Sequence, residues 1–177
     1  SANAWLNNMD VSDGFIWQLY DSYKVEDPNA RRSVTGTVTS FNSNTDTVTV
    51  QLFKRGSSTA AYSTSVKGNS ARYTLSGIAA GTYTMKVSKK NHVTREYAIT
   101  VGTQSVTQNV KIHLKGDING DGKVNTSDVG RANAHARGTS VLKGNEFICA
   151  DINGDGRINT SDVGKINAHA RGKDLLW

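Results

Sequence analysis

The sequence is poor in the residues that mark several common protein classes. A single cysteine, Cys149, stands among 177 residues, so no disulfide framework can form within the chain. Its setting in the stretch FICA makes it a small core residue, and cysteine poverty leaves the compartment open. No apolar run approaches the roughly 18–20 residues that span a bilayer, so membrane insertion is not expected. Charge is not concentrated either. The net charge is +6, but residues 1–114 carry 12 basic and 7 acidic side chains and residues 115–177 carry 9 and 8. Without a basic run or a recognition-helix pattern, that excess does not point to nucleic acid. Ser/His/Asp spacing, a P-loop and an HExxH motif are all missing, and a non-catalytic protein is expected. The start SANAWLNN lacks an initiator Met and a signal peptide, which reads as a mature chain or an excised fragment.

What is present divides into three segments. Residues 1–28 are aromatic-rich, and SDGFIWQLYDSY places apolar residues at 15, 16, 19, 20 and 23, a helical spacing ahead of Pro28. The segment fits a short amphipathic helix that docks on the next domain, or the remnant of a preceding one. Residues 29–114 read as all-β, with about seven Thr- and Val-rich runs between turn residues. Alternation puts Val48, Val50 and Leu52 on one face, and likewise Tyr83, Met85 and Val87, Tyr97, Ile99 and Val101, and Val110 and Ile112. That many short strands in so few residues favour a sandwich. The order of Gly36, Tyr73, Leu75, Gly77, Ile78, Gly81, Tyr83 and Val87 resembles the CnaB-like, carboxypeptidase-regulatory-like Ig-type sandwich. The resemblance implies a spacer or stabiliser rather than an enzyme.

Residues 115–177 carry a duplication. DINGDGKVNTSDVGRANAHARG begins at Asp117, and DINGDGRINTSDVGKINAHARG begins 34 residues later at Asp151. Each copy matches the calcium-loop pattern D-x-[DN]-x-[DN]-G. In the first, Asp117, Asn119 and Asp121 hold positions 1, 3 and 5, Lys123 offers its carbonyl at position 7, Asn125 can hold a water at position 9, and Asp128 closes position 12. The second supplies Asp151, Asn153, Asp155, Arg157 through its carbonyl, Asn159 and Asp162. Hard oxygen donors at this spacing suit two Ca²⁺ ions better than a soft transition metal. Three carboxylates within twelve residues would repel one another without a cation. Asp at position 12, where the EF-hand pattern has Glu, is a shorter arm that must draw the loop inward. Beyond each loop, Val129, Ala132 and Ala136, or Val163, Ile166 and Ala170, recur at helical spacing, and Gly138 and Gly172 terminate the helix. Each unit is thus a loop and one exiting helix.

The paired DxNxDGxxNxxD segments, over residues 116 to about 174, resemble the dockerin module of cellulosomes, and a preceding sandwich resembles the X-module–dockerin pairs of cellulosomal, ruminococcal-style proteins. The expected fold class is multidomain: an all-β Ig-like sandwich followed by a small all-α calcium-binding dockerin of two loop–helix (F-hand) units. The resemblance implies a secreted assembly module, monomeric when unbound, that docks into a cohesin on a scaffoldin or cell-surface protein. It carries the cohesin contacts onto Thr126, Ser127, Thr160 and Ser161. Helix positions Arg131, His135, Arg137, Lys165, His169 and Arg171 are further candidates, although small Ala134 and Ala168 beside each His depart from many dockerins. Close repetition of the outer helix face, with Arg131 against Lys165, fits two equivalent binding orientations, and one sequence does not separate this from recent duplication without selection. His135 and His169 either stack on the partner, making binding fall in acid, or are solvated helix residues. His92 is expected in a turn and His113 on an exposed strand face, while Leu175, Leu176 and Trp177 fold back to close the C-terminus. The rival function is a carbohydrate-binding module with a structural calcium domain, using Trp5, Trp17, Tyr20 or Tyr23 as a platform.

Overall fold

Period-two alternation builds the first part of the molecule. The structure is a computed structural model that describes Asp27 and residues 29–177; the helix expected within residues 1–28, at SDGFIWQLYDSY (12–23), lies outside the described residues. Strands β1 (Arg32–Thr39), β2 (Thr47–Lys54), β3 (Ala60–Lys67), β4 (Ser70–Ile78), β5 (Gly81–Lys89), β6 (Arg95–Val101), β7 (Val106–Thr107) and β8 (Val110–Lys111) form two sheets. One runs β3-β2-β5-β6, all antiparallel; in the other β1 pairs antiparallel with β4 and parallel with both β7 and β8. Their inner faces are the residues that the alternation selects: Val48, Val50 and Leu52 meet Tyr83, Met85, Val87, Ile99 and Val101 on one sheet, and Val34, Val38, Tyr73 and Val110 on the other. Tyr97 packs at the edge of this core, only partly buried.

The run QSVTQNVKI, which reads as one strand, is broken into β7 and β8. At the break the Gln108 carbonyl turns inward to accept from the Tyr73 hydroxyl at 2.7 Å, and the Asn109 side chain replaces the ladder by accepting from Thr37 N at 3.0 Å. Gly36 is what permits this, because a Cβ there would collide with the Gln108 carbonyl.

The second part is helical. Helices α1 (Thr126–Ala136), α2 (Gly144–Ala150) and α3 (Thr160–Ala170) surround a core of Ile118, Ala132, Leu142, Cys149, Ala150, Ile152, Ile158 and Ile166. The duplicated helices α1 and α3 pack on each other. Their inner stripe is narrower than the spacing implies: Ala132 and Ile166 are fully buried, Val129 and Val163 half-buried, and Ala136 exposed. Helix α2 was not expected from the sequence. It buries Cys149 and Ala150, and burial pushes the Cys149 thiol up to about 12, so it is an unreactive core residue.

No loose linker separates the two parts, and Arg31–Trp177 forms one compact unit. The β5–β6 connection runs beside residues 111–116. Val93 N donates to His113 O and Lys115 N to Asn91 O, each at 2.9 Å, with a bridge between His92 and Leu114. Arg95 Nη1 ties Lys111 O at 2.8 Å, and Gly116 N reaches Cys149 O at 3.0 Å. Val93, from the sandwich side, packs on the helical core. Among the described residues no helix is long and apolar enough to cross a membrane.

Candidate metal centres

Each loop is organised by its first and last carboxylates. Asp117 Oδ1 accepts from Gly120 N (2.8 Å) and Asp121 N (3.1 Å), and its Oδ2 accepts from Gly122 N (2.8 Å). Asp128 Oδ1 accepts from Ile118 N (2.8 Å) and Asn119 N (3.2 Å), which draws position 12 across onto the start of the loop. The second loop repeats the set. Asp151 takes Gly154 N, Asp155 N and Gly156 N at 2.9, 3.2 and 2.9 Å, and Asp162 Oδ1 takes Ile152 N and Asn153 N at 3.0 and 3.3 Å. The turns need left-handed backbone at positions 4 and 6, supplied by Gly120 and Gly122 (φ 70° and 87°) and by Gly154 and Gly156 (72° and 80°).

Position 9 has a role beyond holding a water. Asn125 and Asn159 are N-caps: each side chain accepts from Ser127 N or Ser161 N at 2.8 Å. In return Asp128 and Asp162 Oδ2 accept from the cap N–H at 2.9 and 3.0 Å, which completes a capping box. The helices therefore begin at loop position 10, two residues earlier than position 12, and negative charge sits on their first turn where the helix dipole favours it.

Whether these residues suit a cation turns on charge. Asp117, Asp128 and Asp162 are fully buried carboxylates, and the ion pairs found among the described residues, Lys86–Glu96 and Arg131–Glu146, involve none of them. Burial drives the Asp117 carboxyl above the usual range, opposed by the Gly122 N–H and reinforced by the nearby Asp128 charge. Exposed Asp121 moves the other way, held below that range chiefly by the Asn119 amide. A buried anion without a counter-charge is costly, and a cation at the loop would offset it. Among the described residues no three His, Cys, Asp or Glu side chains form a metal-sized cluster. A cation held at either loop would therefore need neutral oxygens beside the carboxylates, those of Asn119 and the Lys123 carbonyl, or of Asn153 and the Arg157 carbonyl. That mixture of hard oxygens fits Ca²⁺.

On the outer surface, Thr126, Ser127, Arg131 and Arg137 are exposed, and so are Thr160, Ser161, Lys165 and Arg171. Arg131 lies 4.0 Å from Glu146 of α2, a weak exposed pair. The two histidines face inward. His135 Nδ1 accepts from Leu142 N and His169 Nδ1 from Leu176 N, both at 2.9 Å and both seven residues on. The His135 ring meets Phe147 edge-on at 5.6 Å, and the His169 ring meets Trp177 at 4.3 Å. Each duplicated His thus clamps the chain that follows its helix, and neither is a freely solvated residue. At the C-terminus Leu176 joins the core and Trp177 covers His169, while Leu175 points outward. Sequence reasoning missed Val141, which is 66% exposed, and wrongly folded its repeat equivalent Leu175 back onto the protein, where the structure leaves it 65% exposed. Extending the 34-residue period past the helices would have paired them.

Residues 115–169 match the family model of the dockerin type I domain. This segment is a dockerin. No curated protein matches the chain. Two similar solved structures are crystal structures of type II cohesin–X-dockerin complexes from Acetivibrio cellulolyticus, one a C-terminal and one an N-terminal interface mutant. Each is 22% identical, with 76% of this chain and 92% of that chain covered and a TM-score of 0.38. The dockerin segment covers both metal loops and helices α1, α2 and most of α3.

Proposed function

We propose that the chain is a non-catalytic assembly module of a secreted protein. Calcium, one ion per loop, organises the dockerin, and the dockerin seats in a cohesin carried by a scaffoldin or cell-surface protein. The sandwich, as an X-module, stabilises and spaces it. The observation that carries this reading is the paired presentation of Thr126–Ser127 and Thr160–Ser161. In both copies a capping box rooted in the position-12 carboxylate places these residues, exposed, on the first turn of a duplicated helix. A recognition surface built this way depends on the metal loop beneath it. Arg131, Arg137, Lys165 and Arg171 would flank it with positive charge, and Val141 and Leu175 add matching apolar contacts. His135 and His169 would serve it by holding the chain behind each helix.

Titration calorimetry against a panel of cohesins, with calcium and again with EDTA, tests the proposal. Tight binding to one cohesin that EDTA abolishes is the expected result. A panel that binds nothing, while calcium still raises the melting temperature, would leave the loops structural and return attention to polysaccharides. If both faces are competent, Thr126→Ala with Ser127→Ala is tolerated, as is the matching change in the second copy, and only the fourfold variant loses binding.

A further inference from the structure

The two metal loops share a sequence and a hydrogen-bond pattern, yet only the first is buttressed by the sandwich. A Cβ at Gly122 would lie 2.5 Å from the Phe41 ring, and one at Gly120 would collide with the His113 ring. At the equivalent Gly154 and Gly156 there is nothing within 4 Å. Asp117 is correspondingly fully buried, whereas Asp151 is only half-buried.

Phe41 takes no part in the sandwich core, but it is fixed from several sides. Its N–H donates to His92 Nε2 at 3.0 Å, and its carbonyl accepts from Lys89 Nζ at 3.1 Å. Its ring stacks on His92, with centroids 6.5 Å apart, and lies 5.7 Å from Lys111 Nζ. Lys89 is itself buried, and its three N–H groups are shared among the Phe41 carbonyl, Ser40 Oγ, the Ser43 carbonyl and Asn69 Oδ1. Burying an ammonium is unfavourable unless its hydrogen bonds are met, and here they hold the segment that carries Phe41. His113 is the second wedge, 9% exposed, on the far end of the connection into the loop.

We infer that Phe41 and His113 are positioning residues of the first loop and make it the slow-exchanging calcium site of the pair. The inference rests on the calcium reading proposed above. Opening the first loop to release an ion must displace two packed rings, whereas the second opens directly into solvent. A loop already held in its turn also loses less conformational freedom on binding. Groups that support ligands from outside the coordination shell typically tune metal affinity by about 10–100-fold when removed.

The test is stopped-flow release from the calcium-loaded full chain into a fluorescent chelator. Two phases of equal amplitude are expected. Asp121→Ala, at an exposed ligand of the first loop, removes the slow phase, and Asp155→Ala removes the fast one. Phe41→Ala and His113→Ala speed the slow phase by about 10–100-fold and leave the fast phase unchanged, with Phe41→Leu in between. A general loosening of the fold would speed both phases, so the fast phase is the internal control. Both ions leaving in one phase, a slow phase that disappears with Asp155→Ala, or a slow phase indifferent to Phe41→Ala would overturn the inference. Retention of no ion at all would instead remove the calcium reading, and the inference with it.

Discussion

The first and second metal loops differ at two positions in twelve, Lys123 against Arg157 and Val124 against Ile158. Their hydrogen bonds agree to within 0.2 Å. Local sequence therefore determines the loop, its capping box and its exiting helix in both copies. Environment determines the rest: one loop lies under Phe41 and His113, and the other faces solvent. A duplicated unit attached on one side to a sandwich cannot remain symmetric, even when its sequence does. Symmetry survives on the helix faces, where both Thr–Ser pairs are exposed.

The largest expected effect acts on both loops. Removing calcium would leave Asp117, Asp128 and Asp162 buried without counter-charge, and the loss is about 4 kcal/mol for each ion where calcium stands about a thousandfold above its Kd. Thermal melts with calcium and with EDTA measure it directly. Next comes the core position at which the copies differ. Ile166→Ala should destabilise by about 2–5 kcal/mol, and the reciprocal Ala132→Ile by about 1–3 kcal/mol through overpacking. Chemical denaturation gives both values, and a neutral Ala132→Ile would mean that the first copy has unfilled space.

The glycine pair tests the asymmetry itself. Gly122→Ala and Gly156→Ala share the left-handed penalty of about 1–2 kcal/mol, but only Gly122→Ala meets a ring. It should be the worse of the two by about 1–3 kcal/mol, and adding Phe41→Ala should erase the difference. Equal effects of the two alanines would deny the buttress. The smallest expected effect is acid sensitivity at the buttress. Burial lowers the His92 pKa, and its Nε2 must stay unprotonated to accept from Phe41 N. The contribution is thus fully present above the unfolded value of about 6.5 and is lost as pH falls through the depressed folded pKa. Its size is about 1 kcal/mol. A pH series of melts should show that loss in the parent chain and not in His92→Gln.

Much of this was legible in the residues. The starts of α1 and α3 and the inner faces of the strands follow from short-range spacing, and the structure places them accordingly. Tertiary context decided what was missed. Helix α2 is seven residues long and needs the core around Cys149 to form. His113 sits between inward Ile112 and Leu114, which by alternation turns it outward; it is buried because loop one covers that outer face. Lys89 did carry a signal, since it shares its parity with Tyr83, Met85 and Val87 and so had to point inward. The histidine clamps were hidden by stopping the repeat at Gly138 and Gly172, short of Leu142 and Leu176.

Hydrogen exchange of the full chain, with and without calcium, compares the two loops most directly. The account predicts that the amides of Gly120, Asp121 and Gly122 are already protected without calcium, while those of Gly154, Asp155 and Gly156 gain protection only when calcium is added. Equal exchange at the two loops in the absence of calcium, or no change at either on adding it, would contradict it.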